Sequence, residues 1–415
     1  MGEPVAFRCV SCGRQYEPWS VDYTCPRCGP RAGTLEVIYD YKSLGRRLTP
    51  ASFAETRRPS LWRYEELLPT GVEHAVSLRA GWTPTYACRT LAAELGLSAL
   101  WVKDDSLNPT ASYKDRATAV AVAAARKLGR EACSCASTGN AATSLAGFCA
   151  SAGIPCHIFV PKDAPKPKVA QLIAFGALVF AVDGTYDQAF DLCSEASARF
   201  GWYNRSAAIN PMNVEGKKTG ALELWEQLEG KIPDYVLVPV GDGSVISGIA
   251  KGFSELVWLG LAERTPKVYG VQASGAAAIA HAFQRHLRGD PILPADEPAE
   301  TVADSIKVGK PRDVVKAVRY VAATGGGFVT VEDEEILAAG QALPRRIGVF
   351  AEPAAAAAYA GLLSLLRSGV IPEGASAAVF ITGSGLKDPE GVLRGLPGPT
   401  VIPPELQAVE RALSQ

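Results

Sequence analysis

The sequence predicts an α/β protein with two parallel-sheet domains, preceded by a small cysteine-rich module. From about residue 98 onward, short runs that are apolar throughout alternate with helix-like stretches. Such runs are typical of parallel strands that helices cover on both faces. Two Cys-x-x-Cys pairs near the N-terminus and four Gly- or Ser-rich junctions between strands and helices complete the pattern.

Composition sets limits on the function. The chain has 415 residues, 47% of them hydrophobic, so it can bury a large core in two or three domains. Lys and Arg number 42 against 43 Asp and Glu, and a net charge of −1 argues against a nucleic-acid partner. No apolar run is long enough for a membrane span, and no export signal is recognised. The ten cysteines therefore predict reduced thiols and a cytoplasmic location.

Residues 1–40 are predicted to form a zinc ribbon. Cys9, Cys12, Cys25 and Cys28 form two Cys-x-x-Cys pairs, each followed by a glycine. Each pair can form a tight knuckle, and four thiolates can then close the tetrahedral site that Zn²⁺ prefers. Four protein ligands predict a structural metal, with degenerate, metal-free cysteines as the alternative.

The remainder of the chain alternates between strands and helices. Residues 35–90 form a mixed extension with helical patterning near 62–68. Strands are predicted at 98–103, 132–136, 156–160, 178–182, 235–239, 268–272 and 377–381. Helices are predicted near 114–128, 140–152, 166–175, 186–199, 214–228 and 245–260, with an alanine-rich helix at 351–366.

Four strand-to-helix junctions carry the candidate chemistry, because open α/β sheets bind ligands where their strands end. Their sequences are NPTASYKDR (108–116), STGN (137–140), GDGSV (241–245) and TGSGLKD (382–388). The glycines and helix-start amides of GDGSV favour an anion. The GxGxxG spacing is missing and the next strand ends in Gln272, which favours a single phosphate over a dinucleotide. The Walker A pattern is also absent.

Lys114 is the candidate nucleophile. It opens a predicted helix, where a cation is poorly placed for stability. An amine in a site that favours its neutral form can attack an aldehyde and form a Schiff base. The alternative is a surface lysine beside Asp115.

Several ordered motifs together resemble the threonine synthase family. NPTASYKDR is similar to the family's NPTGSFKDR, STGNAATSLA to its Ser-x-Gly-Asn loop, and TGSGLKDP to its TGHGLKDP segment. GDGSVISG resembles its cofactor-phosphate loop, INPMNVEGKKT its NPxxxEGxKT, and FAEPAAAAAYAGL its AEPAGAAA helix. The cysteine pairs match the zinc-ribbon branch of the same family, whose members are tryptophan-synthase-β-like (fold type II) pyridoxal-phosphate enzymes.

The resemblance implies a role for each matching position. Lys114 should hold pyridoxal 5′-phosphate and later move protons, and Asn140 should hydrogen-bond the ring 3′-oxygen. Thr382 should meet the pyridine nitrogen, with Ser384 as the alternative. The cofactor phosphate should bind five backbone amides, those of Gly241, Asp242, Gly243, Ser244 and Val245. The carboxylate of Asp242 is unusual in an anion loop and should point away or bind a neighbouring donor.

The family reaction converts O-phospho-L-homoserine and water into L-threonine and phosphate. Ser137, Thr138 and Gly139 should bind the α-carboxylate of this amino-acid substrate. The resemblance also implies a homodimer. Together with the strand pattern, it suggests a large α/β domain from 41–110 and 215–415 and a small one from 111–214.

Departures from the family pattern keep alternatives open. Ala207, Ala208 and Asn213 stand where polar or basic binders of the leaving phosphate are common. Lys103, Arg205, Lys217 and Lys218 could compensate, although each could equally be a solvated surface residue. A cysteate-synthase-like or dehydratase-like enzyme, acting by β-replacement or elimination on serine, threonine or O-phosphoserine, is therefore the second hypothesis. A zinc-ribbon binding module on a decayed enzyme body is the third, but the intact Lys114 and Asn140 oppose it.

Overall fold

The computed structural model of the chain describes residues 2–206, 208–294, 296–394 and 396–414. Within these residues the protein contains a three-stranded, a six-stranded and a four-stranded sheet. Helices pack around the two larger sheets, which confirms the predicted α/β class. No helix in the described ranges combines the length and apolarity that crossing a bilayer requires.

The N-terminal module is an antiparallel sheet anchored on the body of the protein. Its strands β1 (Ala6–Cys9), β2 (Gln15–Tyr16) and β3 (Leu35–Ile38) lie in the order β2-β1-β3 beside a short helix, α1 (Gly29–Ala32). The Thr34 hydroxyl donates to Asp313 Oδ1 at 3.0 Å, and the Lys251 ammonium donates to the Val37 carbonyl at 2.9 Å. These contacts are buried, so the module shares an interior with the larger sheets.

The six-stranded sheet is parallel except at one edge. Its strands are β4 (Thr85–Ala87), β5 (Ala99–Asp104), β10 (Tyr235–Pro239), β11 (Lys267–Ala273), β12 (Gly327–Val331) and β13 (Ser376–Ile381). They lie in the order β12-β11-β10-β13-β5-β4, and only β4 runs antiparallel to its neighbour. The sequence did not predict this edge strand, because three residues are too few to show an apolar pattern.

The four-stranded sheet is parallel throughout. Its strands β6 (Cys133–Ala136), β7 (Cys156–Pro161), β8 (Leu178–Val182) and β9 (Tyr203–Asn204) lie in the order β8-β7-β6-β9. All four strands fall between residues 133 and 204. The exact domain ranges, 41–110 with 215–415 and 111–214, stay a prediction.

Helices cover the sheets, and those predicted from the sequence occur in the predicted order. The helices are α2 (Tyr41–Gly45), α3 (Pro50–Glu55), α4 (Arg89–Glu94), α5 (Lys114–Lys127), α6 (Asn140–Ala152), α7 (Lys166–Ala174), α8 (Tyr186–Phe200), α9 (Met212–Gln227), α10 (Ser244–Trp258), α11 (Ala278–Leu287), α12 (Val314–Ala323), α13 (Asp333–Ile347), α14 (Pro353–Arg367), α15 (Pro389–Leu393) and α16 (Leu406–Leu413). The predicted helices and strands agree with these bounds to within about two residues. The patterning near 62–68 proves to be 3₁₀-helical over Leu61–Leu67, with a kink at Tyr64.

Glycines let helices α5, α9 and α10 pack unusually close together. A methyl group on Gly216 of α9 would lie 2.0 Å from the Arg116 carbonyl oxygen of α5. One on Gly248 of α10 would lie 2.6 Å from the Lys217 Cβ of α9. Backbone therefore meets backbone where any larger residue would separate the helices.

Substituting Gly216 by alanine should destabilise the protein strongly, although alanine is the better helix former. We expect Gly216→Ala to lower the free energy of unfolding by about 2–3 kcal/mol, because the new methyl group collides with rigid backbone. Gly340→Ala is the matched control: its methyl group would meet only the Ala356 Cβ, at 3.7 Å, and should raise stability by about 0.5–1 kcal/mol. Chemical denaturation measures both. Equal effects would contradict the close-packing interpretation.

Candidate active site

A cavity of about 820 Å³ lies where strands of both parallel sheets end. The loops that follow β5, β6, β10 and β13 all reach it, as expected for an open α/β fold. The predicted site residues that line the cavity are Lys114, Ser137, Thr138, Gly139, Asn140, Gly241, Asp242, Gly243, Val245 and Thr382. Ser244 is the exception: it is fully buried beneath the loop and does not face the cavity. The four strand-to-helix junctions predicted from the sequence thus meet in one place.

Lys114 is the first residue of α5 and lines the cavity. Within the described chain, its amine has no hydrogen-bond or ion-pair partner. Burial lowers the pKa of Lys114, which favours the neutral, nucleophilic form. The surface-lysine alternative is therefore wrong.

The loop before Lys114 is held by its own side chains. Asp115, in the first turn of α5, accepts a hydrogen bond from the Thr110 amide at 2.7 Å. Ala111 has φ +63°, in the left-handed region where glycine is favoured. The family glycine at this position therefore meets a conformational requirement, which alanine satisfies here with some strain. The Tyr113 amide ties the loop to the end of β13 by donating to the Thr382 carbonyl at 2.8 Å.

A buried ionic cluster supports the loop that precedes Lys114. Arg116 Nε lies 2.6 Å from Asp105 Oδ1, and Arg116 Nη2 lies 2.6 Å from Glu223 Oε2. Lys103 Nζ lies 3.0 Å from Glu223 Oε2. The guanidinium of Arg116 is thus paired with two carboxylates and is not free to bind a ligand. Lys103 is fully buried and is therefore not a solvated surface residue.

The start of α6 forms a second wall of the cavity. Gly139 precedes the helix in an extended conformation, and the Ser137 hydroxyl accepts a hydrogen bond from the Gly139 amide at 3.1 Å. A methyl group on Gly139 would find no atom within 4 Å, so a ligand has room to approach the backbone. The unpaired amides of a helix start favour a carboxylate or a phosphate here.

The 241–245 loop leads into α10 and includes the first two residues of that helix. Gly243 has φ +95°, and a methyl group there would lie 3.0 Å from the Asp313 carbonyl oxygen. The Asp242 carboxylate accepts hydrogen bonds from the Ser244 amide at 3.0 Å and the Ser244 hydroxyl at 2.8 Å. Ser244 is thus the neighbouring donor expected from the sequence. Burial opposes ionisation of Asp242, but the charges of Lys217 and Lys114 and the Ser244 hydrogen bonds prevail and lower its pKa.

Thr382 and Ser384 have different surroundings. Thr382 directly follows β13 and lines the cavity. Ser384 does not line it, and its hydroxyl accepts a hydrogen bond from the Leu386 amide at 3.3 Å. Thr382 is therefore the better placed of the two to meet a ligand.

Glu352 is a site residue that was not predicted from the sequence. It is the residue before α14, is almost completely buried and lines the cavity. The Asn140 side-chain amide donates to both of its carboxylate oxygens, at 3.0 and 3.1 Å. Burial raises the pKa of Glu352, against the effect of Asn140 and Lys114. The sequence did contain a signal for Glu352: it stands directly before a proline and a run of alanines, a pattern that predicts the start of a buried helix.

The cations proposed as compensating phosphate binders do not face the cavity. Lys103, Arg205, Lys217 and Lys218 are all buried, so the surface interpretation is wrong for each, but none lines the cavity wall. The segment from 304 to 312 instead brings cations there, namely Lys307, Lys310 and Arg312. Ala208 and Asn213 are buried and do not line the cavity, and Ala207 lies outside the described residues. The 304–312 segment escaped prediction because no strand-end motif marks it.

The N-terminal cysteines form a separate cluster. The sulfur atoms of Cys9, Cys12, Cys25 and Cys28 all lie within 4.8 Å of one another. All ten cysteines are free thiols. Four sulfurs at this separation could share one metal ion.

The cavity fits the group that the sequence motifs imply. An unpaired amine of lowered pKa suits an aldehyde, and a glycine loop at a helix start suits a phosphate. Both face one cavity, together with a side-chain amide and a hydroxyl. These are the groups needed to hold pyridoxal phosphate.

Comparisons with known proteins agree with this geometry. The sequence profile of the family described as "Pyridoxal-phosphate dependent enzyme" matches residues 76–383. A threonine synthase of Methanocaldococcus jannaschii is 39% identical over 410 residues, covering 98% of this chain and 99% of that protein. A threonine synthase of Methanosarcina acetivorans is 39% identical over 407 residues, and one of Mycobacterium bovis is 36% identical over 352. The latter two alignments cover 98% and 84% of this chain, and 98% and 94% of those proteins.

Solved structures share the fold. The processed form of threonine deaminase isoform 2 from Solanum lycopersicum superposes with a TM-score of 0.65 at 22% identity, covering 81% of this chain and 94% of that one. A diaminopropionate ammonia lyase from Escherichia coli superposes with a TM-score of 0.64 at 19% identity, covering 90% and 95%. At these identities both likenesses show the fold alone.

The ionic cluster beneath the Lys114 loop should make stability depend on pH. Burial alone would raise the pKa of Glu223, but Arg116 and Lys103 lower it to about 2. The stabilisation from Glu223 is therefore complete above the pKa of an unfolded glutamate, about 4.3, and is lost as the pH falls toward 2. We expect Glu223→Gln to cost about 3–5 kcal/mol at pH 7, where it leaves buried cations unpaired. The difference from the wild type should shrink below about pH 4.

Denaturant titrations at about pH 7, 5 and 3 test this expectation. Glu263→Gln, at an exposed position, is the control and should leave stability unchanged at each pH. A Glu223→Gln penalty that stays constant across this pH range would show that the cluster is not ionic.

Proposed function

Since this chain belongs to the threonine synthase family of pyridoxal-phosphate-dependent enzymes, we propose that it converts O-phospho-L-homoserine and water into L-threonine and phosphate. The observation that carries the proposal is the unpaired amine of Lys114. This amine shares one cavity with a helix-start phosphate loop and with Asn140. When bound, pyridoxal phosphate would supply an electron sink that acidifies the hydrogen on the substrate's Cα.

Each predicted residue has a role in holding the cofactor. Lys114 would hold it through the amine, and the backbone amides of 241–245 would hold its phosphate. Asn140 would bind the ring oxygen, and Thr382 would meet the ring nitrogen. A hydroxyl does not enforce protonation of that nitrogen as a carboxylate would, which favours elimination and replacement at Cβ and Cγ.

The chain's other task is to move protons and to hold the substrate. Ser137, Thr138 and Gly139 would bind the α-carboxylate at the start of α6. Lys114 would accept the Cα proton, and a second proton would leave Cβ as phosphate leaves Cγ. Protonation of Cγ and of Cα and addition of water at Cβ then complete threonine. Burial lowers the pKa of Lys114 and so makes the neutral amine more accessible, which suits a group that acts first as base and then as acid.

The leaving phosphate must meet donors that differ from those expected. The Asn213 amide donates to the backbone carbonyls of Arg205 and Ser206, at 3.1 and 3.3 Å, and does not line the cavity. Arg312 does line the cavity, beside Asp187 and over the ring of Phe190. We propose that the cavity-lining cations of 304–312 receive the phosphate group.

The Asn213 geometry also favours a second candidate function: β-replacement or elimination on serine, threonine or O-phosphoserine. Such reactions at Cβ need no donor set for a phosphate on Cγ. Release of pyruvate from serine or of 2-oxobutyrate from threonine would identify this function, and their absence beside threonine formation would exclude it.

We further propose that Cys9, Cys12, Cys25 and Cys28 hold one structural Zn²⁺, since their sulfur atoms are close enough to share an ion. We also propose a cytoplasmic homodimer, following the family resemblance and the free cysteines. Light scattering of the purified protein would measure its oligomeric state.

Replacing Lys114 should abolish the reaction. We expect Lys114→Arg to lower the rates of phosphate release and threonine formation by at least about 10³-fold, because arginine keeps the charge but cannot act as a base. A panel of hydroxy- and phospho-amino acids, read by phosphate and amino-acid analysis, tests both candidate functions. Lys42→Arg, at an exposed position, should match the wild type. Substantial threonine formation by Lys114→Arg would contradict the proposal.

Removing a cysteine ligand should remove the metal. We expect one zinc ion per chain by elemental analysis, and less than about a tenth of that in Cys25→Ser. The midpoint of thermal unfolding should also fall, because metal binding contributes to folding. Cys88→Ala, outside the cluster, should keep its zinc. Full zinc content in Cys25→Ser would show that the metal is held elsewhere.

A further inference from the structure

An acidic side chain in a phosphate-binding loop needs an explanation. Asp242 lines the cavity within the 241–245 loop, where its negative charge would repel the phosphate of the cofactor. Its carboxylate is ionised, because its pKa is lowered despite burial. A nearby cation must therefore offset this charge if the loop is to accept an anion.

Lys217 is the cation placed to do so. Its side chain is fully buried, and its ammonium donates a hydrogen bond to the Ser244 hydroxyl. The Ser244 hydroxyl in turn donates to Asp242 Oδ1 at 2.8 Å. A relay thus runs from the ammonium through one hydroxyl to the carboxylate. Within the described ranges, no carboxylate approaches the Lys217 ammonium closely enough for a direct ion pair.

Tight packing keeps Lys217 in this position. Its Cβ is the atom that a methyl group on Gly248 would approach to 2.6 Å, and its carbonyl accepts a hydrogen bond from the Tyr113 hydroxyl at 2.6 Å. Contacts on both sides of α9 therefore fix the backbone of Lys217. The side chain of Lys217 is fully enclosed by the packed helices.

Three buried bases repel one another beside the loop. Arg205 is fully buried nearby, and its Nη1 has no hydrogen-bond partner. Burial and the neighbouring cations Lys114 and Arg205 hold the pKa of Lys217 well below its usual range. The charge of Asp242 acts on all three bases, and Asp313, Asp115 and Glu352 each attract one of them as well. A phosphate dianion at the loop would relieve the mutual repulsion of the bases.

We propose that Lys217 is a positioning residue for the cofactor: acting through Ser244, it neutralises Asp242 and so allows the 241–245 loop to bind the phosphate group. The inference rests on pyridoxal phosphate as the cofactor, and it holds whichever amino acid is the substrate. The proposal predicts opposite effects on phosphate binding for the two residues. Removing the positive charge of Lys217 should weaken binding, and removing the negative charge of Asp242 should strengthen it.

Comparing two ligands isolates the effect on phosphate. Apoprotein is titrated with pyridoxal phosphate and with pyridoxal, which has the same aldehyde and ring but no phosphate, and binding is followed by absorbance. We expect Lys217→Gln to weaken binding of pyridoxal phosphate by about tenfold or more. Asp242→Asn should strengthen it, and the double variant should return to within about threefold of the wild type. Pyridoxal affinity should change less than about twofold in all three.

Controls separate this role from a structural one. Lys42→Gln, at an exposed position, should bind both ligands as the wild type does. Equal weakening of pyridoxal and pyridoxal phosphate in Lys217→Gln would mean that Lys217 only supports the pocket, which overturns the proposal. So would a double variant that binds more weakly than Lys217→Gln alone.

The experiment remains decisive if Lys217→Gln does not fold. Asp242→Asn keeps the acceptor for Ser244 and is close to isosteric, so it then decides alone. Unchanged or weaker binding of pyridoxal phosphate in Asp242→Asn would overturn the proposal. Failure to form threonine would leave these binding constants untouched, so failure of the proposed reaction is distinguishable from failure of the relay.

Discussion

The close approach of helices α5, α9 and α10 is the constraint on which the site depends. Gly216 brings α9 against the backbone of Arg116, and Gly220 leaves room for the Tyr113 ring, whose oxygen would lie 2.2 Å from a methyl group there. Tyr113 and Arg116 flank Lys114 in sequence. The same contact that packs the helices therefore places Lys114 at the cavity.

Charge is organised in two layers around this contact. The lower layer consists of saturated ion pairs, such as Arg116 with Asp105 and Glu223, which hold the loop before α5. The upper layer contains bases without direct carboxylate partners, among them Lys114 and Lys217. A buried ion pair that is complete supports structure, whereas a buried base that is incomplete has capacity for an anion. The paired charges therefore hold the loops in place, whereas the bases without carboxylate partners are the ones available to bind a ligand.

The sequence predicted the parts of the protein that repeat a simple physical pattern. Strand 178–182 and helix 140–152 were predicted to the residue, because continuous apolar runs and a glycine-rich start leave few alternatives. Motif resemblance placed Lys114, Asn140 and Thr382 around one cavity. Glu352 lies within the motif FAEPAAAAAYAGL, but the resemblance gave it no role. The 304–312 segment could not be found in this way, because it reaches the cavity only through tertiary packing. The burial of Lys103 and Lys217 escaped prediction for the same reason: a lysine is ordinarily solvated, and its partners here lie far away in sequence.

The hydrogen bond from Thr34 to Asp313 bears on how such a protein can evolve. The Asp313 backbone amide also donates a hydrogen bond to the Asp242 carbonyl, at 3.0 Å. Two hydrogen bonds through Asp313 therefore connect the cysteine-rich module to the 241–245 loop. The Lys251 ammonium, which is paired with Glu215 and Glu255, also donates a hydrogen bond to the Val37 carbonyl. A lineage that discarded the first 40 residues would uncover buried charge in the catalytic body, and it would have to replace those side chains at the same time. In this chain the module is therefore part of the buried interior beside the 241–245 loop, and its loss would leave Asp313 and Lys251 without these partners.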